Sequence, residues 1–447
     1  MTSRASARLV GRPRREGGQV LALLLLLLAA LLGSLLFVFN SGQIVAAKLR
    51  LVGAADAAAY SAAQAQARAL NFQAYMNRAV VANEVAIAQW VSLRSWSGYM
   101  KQVLDAAGTV GALVPPLAAP MQSLAHSWDS IDRGLQRALP PLEAAASAWN
   151  VEVLSRAGSV ADAQGVAVAD SLAQQVALEN LPELGSDGFG REFSAGNALQ
   201  WRNFTATYGR NGDGRARLRE VVMDSRDGFT RERGWTLGLP PLLALRKRGG
   251  TDLIGYESWR GMDTLALRVA ALFGTREQPL AWQAAEDRRS VAPGRGVHGG
   301  SYRDNPRSSS YAARAITVRT GYRGLPAYRD VRLTRRQDQP SLRYELELHQ
   351  AAGTIATSDL VLNGAATVLP NEEVKVALPA YHSGRVYALS AAQVAFQRPV
   401  GRSDRRRELA SLFNPYWQAR LAPVSRAQRM LAAAAHGGSG DPYLGLP

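Results

Sequence analysis

Five histidines, at 126, 298, 349, 382 and 436, are the first residues to weigh for metal or acid–base chemistry. No two stand at the i, i+3 or i, i+4 spacing that puts two imidazoles on one helix face, so no local metal centre is expected. Asn211-Gly212-Asp213-Gly214 resembles the start of a calcium loop, but the alternating oxygen ligands and the closing Glu are missing. A β-turn between Tyr208 and Arg217 is the expectation there. Cys is absent, which excludes disulfides, thiolate catalysis and Cys-ligated metal. Gly437-Gly438-Ser439-Gly440 lacks the spacing of a nucleophile elbow, and no phosphate loop ends in Gly-Lys-Ser/Thr.

Asp252, Glu257 and Asp263 gather around Trp259. Paired carboxylates beside an aromatic suit carbohydrate chemistry, which also demands a fixed separation that sequence does not supply. Ion pairs with Arg246, Arg248 and Arg260 explain these acids as well, so no enzymatic activity and no cofactor is expected. Arg246-Lys247-Arg248-Gly249-Gly250 reads as a compact basic turn. Its three cations are the candidate contact for an anionic partner, against the plainer reading of a solvated turn. With Trp235, Trp259 and Trp282 read as exposed, the Arg-rich stretch from Trp201 to Gln350 supports an alternative function, a periplasmic binding or sensing module for acidic glycans or other envelope anions.

These residues must be carried by a chain of 447 residues, enough for two or three domains, with a formal net charge of +16. Arg supplies nearly all the positive charge, since Lys occurs only at 48, 101, 247 and 375. Basic residues are interspersed with acids along the chain, so no nucleic acid is expected as a partner.

Residues 1–19 form a basic leader with Arg4, Arg8, Arg12, Arg14 and Arg15. Val20 to Phe39 follows, apolar except for Gly33 and Ser34, with Leu24, Leu28, Leu32 and Phe37 along it. Twenty residues of helix reach about 30 Å, the thickness of a bilayer's hydrocarbon core. The positive charge ahead of the span puts the N-terminus in the cytoplasm and the bulk outside, as a single-pass inner-membrane protein in contact with membrane lipid. A cleavable signal ending at Val45-Ala46-Ala47 competes with this reading, but its apolar core is too long for one. A prepilin-type leader ending at Gly18 is the other alternative. Counting from Gln19, position five is Leu23, where an acidic residue belongs, so the leader is expected to stay uncut.

Beyond the span, residues 40–184 read as a helical membrane-proximal region. No Pro interrupts Ser41 to Gly98, and Leu70, Tyr75, Val81, Val85, Ala88 and Trp90 give a broad apolar stripe interrupted by Asn71, Asn77, Arg78 and Glu84. Pro115-Pro116 and Pro140-Pro141 are expected to break the next stretch, and Val151 to Leu181 reads as a further helix. Residues 185–400 read as a β-rich periplasmic domain. Its strand candidates are Asn203 to Tyr208, Arg217 to Met223, Ala313 to Arg319, Arg343 to His349 and Val386 to Phe396, with Asp287 to Ser310 as an exposed loop. Residues 401–435 form a C-terminal helical segment in which Leu409 to Leu421 is a short helix or turn. Residues 436–447 form a flexible tail. The expected fold is α+β: one transmembrane helix continuing into an Ala-rich helical region, then a mostly antiparallel β region.

Gly18-Gln19-Val20-Leu21-Ala22 before the Leu-rich span, and Ala54-Ala55-Asp56-Ala57-Ala58-Ala59 after a basic residue and short linker, resemble the Tad (tight-adherence) family of Flp pilus-assembly proteins in its TadE/TadG-like N-terminal region. Arg246 to Thr251, Asp263-Thr264 and Leu412 to Arg420, with Asn414, Pro415, Tyr416 and Trp417, are similar to long TadG-like proteins. The resemblance implies a membrane-anchored component of pilus biogenesis, with pilins or pilus-assembly proteins as partners; self-association stays open. Many TadG proteins carry a von Willebrand A-type domain whose metal site needs Asp-x-Ser-x-Ser. That motif is absent here, and Asp224-Ser225-Arg226-Asp227 fails its spacing.

Overall fold

In the computed structural model the described residues are 17–111, 115–209, 214–240, 242–271, 274–289, 304–332, 339–356, 385–398, 400–401, 403 and 408–435. The basic leader before residue 17, the expected turn at Asn211 to Asp213, most of the loop after Asp287, His298, His382 and the C-terminal tail with His436 lie outside them.

One helix organises the molecule. α1 (Gly17–Gly111) runs for 95 residues, about 140 Å at 1.5 Å per residue. No Pro occurs within it, and Ala and Leu, both strong helix formers, dominate. Its first part, Val20 to Phe39, carries exposed Leu and Phe on every face, and its most apolar window has nothing packed against it. From Ala47 onwards the same helix has a continuous buried face, Leu51, Ala55, Ala58, Ala62 and Leu70 among it.

α2 (Pro115–Trp149), a π-helical turn at Asn150–Leu154 and α3 (Ser155–Asn180) return antiparallel along α1. The expected break at Pro140-Pro141 does not occur, for both lie inside α2. Packing holds the helix together across them: Leu139 is buried just before, and Glu143 just after is ion-paired to Arg94 at 2.8 Å. Along α3, Ala169, Ala173 and Ala177 are small and buried where it meets α1, and Gly165 lies against the Trp201 indole.

The remaining elements are strung along α1 as three sheets. Going along the chain they are α4 (Ser194–Phe204), β1 (Thr205–Tyr208), α5 (Gly214–Asp224), α6 (Gly228–Arg231), β2 (Trp235–Leu239), β3 (Leu243–Ile254), β4 (Ser258–Ala271), β5 (Gly274–Arg288), α7 (Pro306–Arg314), β6 (Thr317–Arg319), β7 (Tyr328–Val331), β8 (Ser341–Ala351), β9 (Arg385–Phe396), β10 (Trp417–Ala422) and α8 (Arg426–Ala435). The sheet ordered β10-β9-β8 packs on the part of α1 nearest the bare span. A ribbon of β1 and β7 follows, and the sheet ordered β2-β3-β4-β5-β6 covers the far part of α1. All pairings are antiparallel except β5 with β6. The fold is therefore α+β, a long apolar N-terminal helix followed by mostly antiparallel sheets.

Three segments differ from the sequence-based expectation. Arg217 to Met223 is the helix α5 and not a strand, because Leu218 and Val222 are one turn apart and both enter the core against Ile87 and Val91. Part of the expected loop is the helix α7. Pro306 opens it, and the Glu277 carboxylate accepts hydrogen bonds from the amides of Arg307 and Ser308 at its N-terminus, 3.0 and 2.9 Å. The segment to Leu421 ends as the strand β10, not as a helix: Asn414-Pro415 keeps the chain extended, and Trp417 pairs with Phe396 of β9.

Candidate functional site

The polar residues that interrupt the apolar stripe of α1 are its connectors. Several of them reach out to other elements, so the helix carries a ladder of polar rungs. Asp56 accepts from the Ser390 hydroxyl of β9 at 2.6 Å. Lys48 donates to the Tyr387 carbonyl on the same strand, and its burial lowers the pKa of the ammonium despite the attraction of Glu347. The Asn71 amide exchanges two hydrogen bonds with the backbone of Trp417, 2.9 and 3.0 Å. Asn77 donates to the carbonyls of Arg329 and Leu412, 2.8 and 2.6 Å.

Glu84 is the hub of the ladder and is fully buried. Its carboxylate accepts from Trp259 Nε1 of β4 at 2.9 Å, from the Tyr322 hydroxyl at 2.8 Å and from Asn150 Nδ2 in the π-helical turn at 2.9 Å. Burial raises its pKa, and these three donors pull the other way. One side chain thereby joins α1, the α2–α3 junction, the large sheet and the segment after β6.

The outer rungs carry charge. Arg94 Nη1 meets Glu143 of α2 at 2.8 Å, both side chains fully buried. Asp287 of β5 stands beside Glu143, and its carboxyl, which accepts from the amides of Gly321 and Tyr322 at 3.1 Å, is itself raised by burial. Burial pushes Glu143 up to about 7, with Arg94 opposing and Asp287 adding to the rise. Ser95 donates to Asp263 Oδ2 at 2.7 Å. Asp263 also binds Arg233 at 2.9 Å and Lys247 at 2.6 Å. Burial would raise the Asp263 carboxyl, but the two cations outweigh it and hold its pKa below the ordinary value.

These contacts revise several of the sequence-based expectations. Arg246, Lys247 and Arg248 are not a turn; they lie within β3. Lys247 is buried on Asp263, and Arg248 lies 3.3 Å from Asp304 and donates to the Trp235 carbonyl at 3.1 Å. Asp252, Glu257 and Asp263 do form ion pairs, but with Arg226, with Arg215 and Arg289, and with Arg233 and Lys247. Among the described residues Arg246 and Arg248 make no ion pair with these three acids, and Arg260 is paired with Glu286 at 2.7 Å. Trp259 is wholly buried and Trp282 stacks on Tyr311, leaving Trp235 as the exposed member of that trio. Among the described residues no group of three or more His, Cys, Asp or Glu side chains converges as metal ligands.

The motif residues fare differently. Ala54 and Ala55 are buried with Ala58 and Ala59 against β9 and α3, and Asp56 makes the rung to Ser390. Gly18 and Gln19 fall in the first turns of α1. Trp417 is buried, edge-on to Phe204 and Phe396, and Tyr416 packs beside them. Phe413 lies against Tyr328. The C-terminal aromatics are therefore docked within the molecule. Sequence reading missed Glu84 as a hub; the one available signal was an acid at a core-facing position of an Ala-rich helix.

One stretch of α1, bare at one end and packed on small residues at the other, is similar to a known family. Residues 18–65 match a family model described as putative Flp pilus-assembly TadE/G-like. By that match the segment is similar to the Tad family. No curated protein and no solved structure matches the chain. The Tad-type segment straddles the transition at about Asn40, taking in the whole bare span and the first Ala-lined turns of the buried spine. The match supports a role in pilus assembly, and the long apolar helix at its start fits membrane attachment.

Proposed function

We propose that the protein is a non-enzymatic, membrane-anchored scaffold of Flp-type pilus assembly. Val20 to Phe39 crosses the inner membrane, the N-terminus faces the cytoplasm, and the body extends into the periplasm and acts by protein–protein contact. One observation carries this reading: α1 passes without a break from a span that packs on nothing into a spine that positions all three sheets. Such a helix transmits the membrane's position to the far end of the molecule without a flexible joint. The Tad-type segment supports the pilus context, and the charged clusters are partnered as ion pairs that join elements.

Deleting the gene and counting surface pili, with complementation by the intact chain, tests the proposal. Loss of pili, restored by the intact chain but not by one lacking residues 20–39, is the expected result. Normal pili in the deletion strain would overturn it.

A further inference from the structure

An open groove of about 790 Å³ runs between α1, α5 and the segment 409–414. Arg78, Val81 and Val85 form one wall at helical spacing, Arg217 and Val221 the other, and Phe413 lies on the floor. The floor is fixed before any ligand arrives. Leu412 donates its amide to Asp330 at 2.7 Å, and its carbonyl accepts from Asn77 at 2.6 Å. Leu409 stands at the rim with 62% of its surface exposed, an apolar side chain with no cover among the described residues.

The charge of the groove is one-sided. Among the described residues no acidic side chain lines it, while two guanidiniums flank it. Arg217 is 3.0 Å from Asp330 and lies over the Phe413 ring at 5.9 Å. Arg78 is exposed. Apolar walls of valine and phenylalanine with arginines at the edge fit an aliphatic chain that bears a carboxylate. The groove has the size of a small-ligand site, but it is open along the two helices, which suits an extended chain more than a compact cofactor. Arg78 is 39 residues beyond Phe39 on α1, about 60 Å outward along the helix axis. With Val20 to Phe39 in the membrane, acyl chains of the anchoring bilayer do not reach that far, which favours an extended peptide over a lipid as the carboxylate-bearing chain.

We infer that this groove is a docking site for an apolar peptide segment of a partner protein, held at its carboxylate by Arg78. It deepens the scaffold reading by giving the chemistry of one partner, and its test is independent of pilus formation.

The test uses the full chain in nanodiscs and a fluorescein-labelled pentapeptide of leucine and valine, with either a free C-terminal carboxylate or a C-terminal amide. Anisotropy is read against empty nanodiscs. The carboxylate form should bind at least tenfold more tightly than the amide. Arg78→Gln should remove that preference, and Ala82→Trp should block both forms by filling the groove. Both positions are exposed, so neither change removes a core contact. Absence of binding by either form, a preference that survives Arg78→Gln, or displacement by dodecanoate as efficient as by unlabelled peptide would each overturn the inference.

Discussion

The side-chain amide of Asn71 and the backbone of Trp417 are joined by two hydrogen bonds running in opposite directions, 2.9 Å from Asn71 Nδ2 to the Trp417 carbonyl and 3.0 Å from the Trp417 amide to Asn71 Oδ1. The contact ties the spine to β10, the edge strand of its sheet, across 346 residues of sequence. Asn71→Ala leaves a half-buried donor and acceptor without partners. It should cost about 1–3 kcal/mol, read as a lower denaturant midpoint of the detergent-solubilised chain. Asn71→Gln should fail to restore stability, since its amide is displaced by one methylene.

Two glycines of the helical layer should respond to alanine with opposite signs. Gly53 is exposed in α1 with open space where a Cβ would go, so Gly53→Ala should stabilise by about 0.5–1 kcal/mol through helix propensity. At Gly165 a Cβ would run into the Trp201 indole, which is itself buried and donates to the Asp162 carbonyl at 2.9 Å. Gly165→Ala should therefore destabilise, by about 1–3 kcal/mol. Paired unfolding curves of the two variants check the contrast.

Arg94 and Glu143 form a fully buried ion pair, so losing one partner should be worse than losing both. Arg94→Met should cost about 3–5 kcal/mol by leaving Glu143 uncompensated, while Arg94→Met with Glu143→Leu should recover most of that. A double-mutant cycle measured by denaturant unfolding separates the coupling from the single costs.

Stability should fall as pH rises through the neutral range. Glu143 is pushed up to about 7, and burial beside Glu192 pushes Glu347 up to about 8. Each folded pKa lies above its unfolded value, so the folded chain binds more protons and the slope of stability against pH is negative. The stabilisation is fully present below the ordinary Glu range near 4.5 and lost as pH passes about 7 for Glu143 and about 8 for Glu347. Asp227, lowered to about 2, acts in the opposite sense and only between about 4 and 2. Melting temperatures from pH 5 to 9 should therefore decline, and Glu347→Gln should flatten the upper part of the curve.

Much of the architecture was legible in the sequence because periodicity and length carried it. The apolar run from Val20 to Phe39, the Pro-free continuation to Gly98, and the alternation in Arg343 to His349 each specify their element by one dominant signal. The errors share a cause, which is that tertiary packing overrode the local pattern. Pro140-Pro141 stays helical because α2 is clamped to α1 on both sides of the pair. Arg217 to Met223 follows a helical period that alternation mimics over a short window. The polar ladder was not legible at all. Asn71, Asn77 and Glu84 looked like interruptions, because their partners stand between 66 and 346 residues away and only the fold brings them together.

A single topology experiment bears most directly on the proposed anchoring. The chain has no Cys, so single cysteines can be introduced at Ser3 in the leader and at Arg68 and Ser130 on exposed faces of α1 and α2. Intact spheroplasts are then treated with a membrane-impermeant maleimide. Labelling at Arg68→Cys and Ser130→Cys, with Ser3→Cys labelled only after permeabilisation, is the predicted result. Labelling of Ser3→Cys in intact spheroplasts while the other two stay protected, or recovery of the chain in the soluble fraction, would contradict it.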